Sequence, residues 1–415
     1  MLDDPDNHDP EGHWPPQAGD GRVSRRRIGI VTSARADFGL LRGLMDAVRA
    51  APELDLIVYA TGMHHSRAHG HTLDEVKAAE PAEVIVEVPS FQGGDSPEAV
   101  ARTIAAGVSG FAAAFANRRP DILVVLGDRY DSYPAALAAL PFAIPIAHIS
   151  GGESTEGAID EAIRHSLTKL AHLHFPSHEL YARRIRQMGE EAWRVTLSGQ
   201  PGLDALVAFR PSPRADVIGG LGLDPKRPVS LLTYHPETLA ADKTADAVAA
   251  VLKAAANIDS QVVFTAPNAD TGNAPIREAI SAFAASRPGC IYRESLGRDL
   301  YLELLNHADC MVGNSSSGII EAASFKLPTV NIGDRQKGRL ADRNVIACAG
   351  EAAAIADAWR RALDPAFRAG LAGLVNSYGD GRAVPRILAV LKSVPLDRRL
   401  IVKTFADTAT PEASR

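Results

Sequence analysis

A doubly wound α/β architecture is predicted by three observations. Short apolar runs of three to six residues recur along the chain, helical patterns separate them, and a proline- and glycine-rich break divides the series in two. The strand candidates of the first half are Ile28–Thr32, Leu56–Thr61, Ile122–Leu126, Ile144–Ile149, Leu173–Phe175 and Val195–Ser198. Those of the second half are Val229–Tyr234, Gln261–Thr265, Cys290–Arg293, Cys310–Val312, Thr329–Ile332 and Asn344–Cys348. None alternates cleanly between apolar and polar, as expected of strands buried on both faces of a parallel sheet. Alanine-rich helix patterns lie between them, Ala99 to Asn117 and Ala245 to Ala256 among them, so the repeat is strand, helix, strand.

The break falls between about Phe209 and Pro228, where four prolines and three glycines crowd together. The expected organisation is a disordered leader over 1–24, an N-terminal Rossmann-like domain over 25–208 and a second Rossmann-like domain over 226–382. A closing helix over 383–395 and a flexible tail over 404–415 complete it, and a cleft is expected between the domains. Ligands of open α/β sheets sit beyond the carboxyl ends of strands, so segments just after strands hold the information. Neither half contains GxGxxG or GxxxxGK[ST], which disfavours a dinucleotide or P-loop site.

Composition narrows the function. The 415 residues are 46% hydrophobic, which excludes disorder throughout. The net charge of −6, from 44 basic and 50 acidic residues, gives a nucleic-acid role no bulk electrostatic support. Cys290, Cys310 and Cys348 have no CxxC or finger spacing, which excludes a disulfide scaffold and most zinc folds and fits a reducing cytoplasm. No stretch is expected to span a membrane. The most apolar long run, Tyr133 to Ile149, carries three prolines and is shorter than the roughly 20 residues of a helical span. Residues 1–20 hold six acidic residues, four prolines and no apolar core, so they do not resemble a signal peptide.

Five polar segments follow predicted strands. Ser33-Ala34-Arg35-Ala36-Asp37-Phe38-Gly39 offers backbone N–H groups and Arg35 to an anion, with Asp37 either at the ligand or capping the helix. Gly127-Asp128-Arg129-Tyr130-Asp131 places a carboxylate, Asp128, where it can act as acid or base or as a cap. His148-Ile149-Ser150-Gly151-Gly152-Glu153 runs on to Asp160, Glu161, Arg164 and His165, and its clustered carboxylates can separate their pKa values for acid and base roles. Thr233-Tyr234-His235-Pro236-Glu237-Thr238 carries an exposed histidine able to bond a phosphate or leaving group. Gly313-Asn314-Ser315-Ser316-Ser317-Gly318 forms a phosphate cradle, with Glu321 placed to accept from ribose hydroxyls. His64, His65, His69 and His71 fall within eight residues, yet no cysteine is near and a loop explains them, so no metal site is expected. His64 remains the first of them to consider for substrate contact.

Together these segments resemble the hydrolysing UDP-N-acetylglucosamine 2-epimerase family over roughly Arg27 to Arg382. The resemblance is carried in order by RADFGLL, GDRYD, GGESTEGAIDEAIRHSLTKLAHLHF, GNSSSGIIEA and PTVNIGDRQKGR. It implies a GT-B-type fold of two Rossmann-like domains, the second binding UDP. It also implies elimination of UDP to a glycal and hydration to N-acetylmannosamine for sialic- or legionaminic-acid-type sugars, without a metal or redox cofactor. By motif, Asp128, Glu153 and Asp160 would do acid–base work, and Arg35, His235, Ser315, Ser316, Glu321 and Arg335 would bind UDP. Arg129 and Arg164 would orient sugar or carboxylates, and Asn268 and Asp270 of the PNADTGN turn would line the cleft. The implied partner is a nucleotide sugar, and the family habit is a homo-oligomer. Plain UDP-N-acetylglucosamine is the first expectation for substrate, ahead of 2,4-diacetamido-6-deoxy analogues. Competing readings are the non-hydrolysing 2-epimerase, a GT-B glycosyltransferase and a catalytically dead nucleotide-sugar sensor.

Overall fold

A computed structural model describes residues 25–67, 71–94, 96–155, 159–236, 244–267 and 273–407. The expected leader lies outside these residues, as does the tail from 408. The chain divides into two compact units, one of residues up to 152, 162–202 and from 382, the other of 153–161 and 203–381.

In the first unit six strands form one sheet: β1 (Arg26–Thr32), β2 (Leu54–Thr61), β3 (Ile85–Val88), β4 (Ile122–Leu126), β5 (Ile146–Ile149) and β6 (Leu173–Phe175). Their order is β3-β2-β1-β4-β5-β6 and every pairing is parallel. The second unit holds β7 (Val229–Thr233), β8 (Gln261–Thr265), β9 (Cys290–Arg293), β10 (Cys310–Gly313), β11 (Thr329–Ile332) and β12 (Val345–Cys348), ordered β12-β11-β10-β7-β8-β9. Read from its own first strand this is the same winding, so each unit is a complete Rossmann-like sheet.

Side chains alternate across a strand, and the alternation here separates two apolar layers rather than core from solvent. Ile28, Ile30, Val124 and Leu126 join the layer beneath the helix Arg35–Ala50 and the helix Ala383–Ser393. Val31, Leu123 and Val125 join the opposite layer with Tyr59, Phe111 and Phe115. In the second unit Leu232, Phe264 and Val312 face Trp359, while Leu231, Val263 and Met311 face Leu304 and Leu305.

Three expectations need correction. Val195–Ser198 is not a strand: its only pairing is a single bridge from Val195 to His174, and Leu197 is exposed. The sixth strand is β3, an edge strand whose Glu87 faces solvent, so the run Ile85–Val88 is too polar to stand out. The proline-rich break lies inside the second unit, because Ile218, Leu221 and Leu223 are buried there beside Leu231. The closing helix forms as expected, over Ala383–Ser393, and it belongs to the first unit, where Val384, Ile387 and Leu391 complete the layer under β1. Finally, the helix Pro97–Asn117 is 21 residues long and apolar enough, by length and composition, to cross a membrane. Its buried positions Thr103, Gly107, Phe111 and Phe115 are four apart, the stripe of a helix packed on a sheet.

The chain's end is fastened by charge. The buried guanidinium of Arg194 donates to the carbonyls of His172 (3.2 Å), Leu400 (2.8 Å), Arg399 (2.8 Å) and Val402 (3.1 Å). Nearby, buried Glu190 accepts from Lys169 (2.6 Å), His174 (3.0 Å) and Lys403 (2.7 Å), and these partners hold its carboxyl at about 2 despite burial. Replacing Arg194 by Met should lower the unfolding free energy by about 3 kcal/mol, since four carbonyls lose a charged donor. Limited proteolysis should then cut between residues 398 and 403 faster than in the parent; equal cutting rates and unchanged urea midpoints would contradict this assignment.

Candidate active site

In each sheet the strand order reverses beside the first strand, between β1 and β4 and between β7 and β10. Loops leaving such neighbouring strands diverge and leave a ligand-sized opening at their carboxyl ends. The candidate residues cluster at these two places.

In the first unit β1 ends in Ser33 and Ala34, and Arg35 opens the following helix half-exposed, its Nη1 3.9 Å from Glu75. Asp37 is buried at that helix's first turn. Its carboxylate accepts from the N–H groups of Ser33 and Ala34 (both 2.7 Å) and from the Ser33 hydroxyl (3.0 Å), so its geometry is that of a cap. Burial raises its pKa, against the pull of Arg129. After β4, Gly127 takes φ +71° and Asp128 pairs with Arg164, a guanidinium almost wholly removed from solvent on the helix Asp160–Leu170. Arg129 forms a two-point pair with buried Asp131, at 3.0 and 3.1 Å. Asp128 is the more open of the two aspartates, with 18% of its side chain exposed against none for Asp131.

After β5 the backbone turns sharply. Ser150 adopts φ +63°, a costly state for a residue with a side chain, and its buried hydroxyl has no hydrogen-bond partner among the described residues. Gly152 follows at φ +75°, and a Cβ there would stand 2.5 Å from the Tyr181 carbonyl oxygen, so only glycine fits. His148 anchors the neighbouring loop: its Nε2 donates to the Gly127 carbonyl at 2.7 Å, which fixes the neutral tautomer. Asp160 stands half-buried at the start of its helix.

In the second unit the organiser is Asn314, which the motif contained but the candidate residues omitted. Gly313 before it takes φ +134°, where a Cβ would overlap the Thr233 carbonyl. Fully buried Asn314 accepts from the His235 N–H (2.7 Å) and donates to the His235 carbonyl (2.8 Å). Its own carbonyl accepts from Arg335 (3.1 Å) and Gln336 (2.9 Å). One asparagine therefore joins the loops after β7, β10 and β11. A buried amide at a strand end, able to mimic backbone pairing in both directions, is the signal that would have found it. Ser315 and Ser316 sit half-buried before a single helical turn, Ser317–Ile320, and Glu321 follows it. Burial raises the pKa of Glu321, while a hydrogen bond from Ser317 opposes the shift.

One expectation about histidines changes. His235 is buried rather than exposed, and burial together with the Arg335 charge drives its pKa well down, so it is a neutral group. His64 is fully buried, its ring bonded to the hydroxyls of Thr32 (2.9 Å) and Thr72 (2.8 Å), and it braces the turn after β2. His65 and His71 are engaged by the Ala60 carbonyl and by Asp74. Asn268, Asp270 and His69 lie outside the described residues.

Residues 46–392 match the profile of a family described as UDP-N-acetylglucosamine 2-epimerase. Among curated relatives, a UDP-N,N'-diacetylbacillosamine 2-epimerase (hydrolyzing) of Legionella pneumophila is 35% identical over 382 residues, 92% of this chain and 99% of the relative. A GDP/UDP-N,N'-diacetylbacillosamine 2-epimerase (hydrolyzing) of Campylobacter jejuni is 36% identical over 78% of this chain and 84% of its own length. Among solved structures, UDP-GlcNAc 2-epimerase from Neisseria meningitidis bound to UDP-GlcNAc superposes with a TM-score of 0.75 at 18% identity, covering 88% of this chain and 99% of the other. That likeness shows the fold.

Burial also sets a pH response. His64, His148 and His172 are each lowered to about 4, chiefly by burial. They are neutral in the folded state, whereas their unfolded counterparts take up protons below about 6.5. Their contribution is therefore complete above pH 6.5 and is lost as pH falls toward 4, at up to roughly 1.4 kcal/mol per pH unit for each. The melting temperature should be flat from pH 8 to 7 and drop steadily from 6.5 to 4.5. A thermal scan series showing no drop would refute the neutral assignment.

Proposed function

The chain belongs to the UDP-N-acetylglucosamine 2-epimerase family, and from that premise we propose that it is a hydrolysing UDP-sugar 2-epimerase acting on a UDP-linked 2,4-diacetamido-6-deoxy sugar of the N,N'-diacetylbacillosamine type. The relatives named for that substrate reach 35% and 36% identity, against 30% for a Neisseria meningitidis relative named UDP-N-acetylglucosamine 2-epimerase. This gradient supports the diacetamido sugar over plain UDP-N-acetylglucosamine, which is the second reading. The product is a manno-configured amino sugar for nonulosonic acid synthesis. Three free cysteines are compatible with work in the reducing cytoplasm, and the family resemblance supports a homo-oligomer.

The reaction has two stages. A carboxylate takes the proton from carbon-2 while the carbon-1–oxygen bond breaks, so UDP leaves with the bonding pair and a carbon-1–carbon-2 double bond remains. Water then adds its hydroxyl to carbon-1 and a proton reaches carbon-2 from the opposite face, releasing the free 2-epimer. The observation that carries this reading is the Asp128–Arg164 pair at the carboxyl end of β4, a partly open carboxylate held by a buried cation. Arg164 fixes its direction, which suits a group that handles a carbon-bound proton. Glu153 and Asp160 share the remaining proton transfers. Arg335 and neutral His235 take the diphosphate, with Ser315 and Ser316 as hydroxyl donors and Glu321 accepting from ribose. Arg35 adds an open cation for phosphate, and Arg129 orients Asp131 and the sugar.

Incubation with each nucleotide sugar in deuterated water, followed by NMR, tests this. UDP and a free manno sugar deuterated at carbon-2 should appear, faster from the diacetamido substrate. A UDP-linked epimer would instead make the enzyme non-hydrolysing. Asp128→Asn should retain UDP binding while kcat falls by about 10²- to 10⁴-fold; retained turnover would remove Asp128 from the chemistry, and binding without turnover in the parent would favour a sensor.

A further inference from the structure

Glu153 sits on a loop that its own neighbourhood holds still. Glu161 accepts from the Ser154 hydroxyl at 3.0 Å and from the Thr155 N–H at 2.6 Å, clamping the residues that follow. The Glu153 side chain is only 3% exposed. Across from it stands Arg339, 13% exposed, with Nη1 3.9 Å from the Glu153 Oε2. Among the described residues the buried Arg339 Nε has no hydrogen-bond partner, and Glu153 is the one carboxylate in ion-pair reach of this guanidinium.

Arg339 is not needed to shape its own loop. That loop follows β11 and is closed by backbone bonds from Lys337 to Asp334 (2.9 Å) and from Arg339 N–H to Gln336 (3.2 Å). Arg335 and Gln336 fasten it to the Asn314 carbonyl. The Arg339 side chain adds none of these bonds. A guanidinium withdrawn from water, short of acceptors and aimed at one buried carboxylate is an expensive feature for packing alone, since an apolar side chain would fill the space without a desolvation penalty.

We propose that Arg339 is the positioning residue for Glu153, orienting its carboxylate for the proton transfer assigned above; the proposal rests on that assignment. Arg339 acts through Glu153 and does not touch the substrate. The cation facing the carboxylate keeps Glu153 within the productive range as a proton arrives or leaves.

Steady-state kinetics with the UDP-sugar substrate test this on Arg339→Gln, Arg339→Lys, Glu153→Gln and the Arg339→Gln/Glu153→Gln double variant. Arg339→Gln should lower kcat by about 10- to 100-fold with KM within about twofold, and Arg339→Lys should recover most of the loss. The double variant should be no slower than Glu153→Gln, because the two residues act as a unit. A melting temperature for Arg339→Lys equal to the parent's shows that its kinetics report positioning rather than folding. A rise in KM with unchanged kcat would make Arg339 a ligand contact and overturn the proposal, as would parental kinetics in Arg339→Gln. If Glu153→Gln keeps full turnover, the acid–base reading of Glu153 fails instead. A slow Glu153→Gln beside a fast Arg339→Gln defeats the positioning role alone.

Discussion

A parallel sheet covered by helices on both faces has one place left for polar chemistry, the ends of its strands. Everything distinctive about this protein follows from that constraint applied twice. Each unit carries the same strand order, so each reverses direction beside its first strand and opens there. The central strand segments are apolar on both sides, as Ile28, Val31, Leu123 and Val124 show. Carboxylates, guanidinium groups and hydroxyls therefore gather in the few residues after β1, β4, β5, β7, β10 and β11. Candidate chemistry and candidate scaffold are separated by a single peptide bond at Leu126–Gly127 and again at Gly313–Asn314.

Charges taken out of water survive because each has a counter-charge or a set of carbonyls. Arg164 meets Asp128, Arg129 meets Asp131, and Glu190 meets two lysines and a histidine. Such pairs contribute little net stability but fix direction, since an unpaired member would be strongly penalised. The uncharged analogue is Asn314, whose amide couples three loops of the second unit with two bonds to one residue and whose backbone carbonyl accepts two more. Acid–base chemistry depends on carboxylates whose orientation is set before substrate arrives, and this packing supplies it.

Much of the fold was legible in sequence because buried parallel strands are short, continuous apolar runs with few rivals. Ile122–Leu126, Leu173–Phe175, Gln261–Thr265, Cys290–Arg293 and Thr329–Ile332 are strands with the bounds their composition predicts. The exceptions lie where burial is one-sided. Edge strand β3 carries Glu87 outward and lost its apolar signature, while the more apolar-looking Val195–Ser198 found a partner at one residue only. The helix Pro97–Asn117 is apolar nearly all round because alanine is cheap to expose, which hides its amphipathic stripe and mimics a membrane span.

The candidate residues divide along the same physical line. Sequence by itself determined which residue types stand after which strands, and thereby the family, the two sheets and the positions of Asp128, Asn314 and Arg335, because these follow from local order along the chain. Only the tertiary structure decided what each side chain faces. It made Asp37 a cap, His64 a brace and His235 a buried neutral ring, and it brought Arg339 to Glu153 across 186 positions of sequence. Spacing along a chain encodes proximity within a helix or strand. Pairing between loops, and the desolvation that sets a group's charge, arise only once distant segments have packed together.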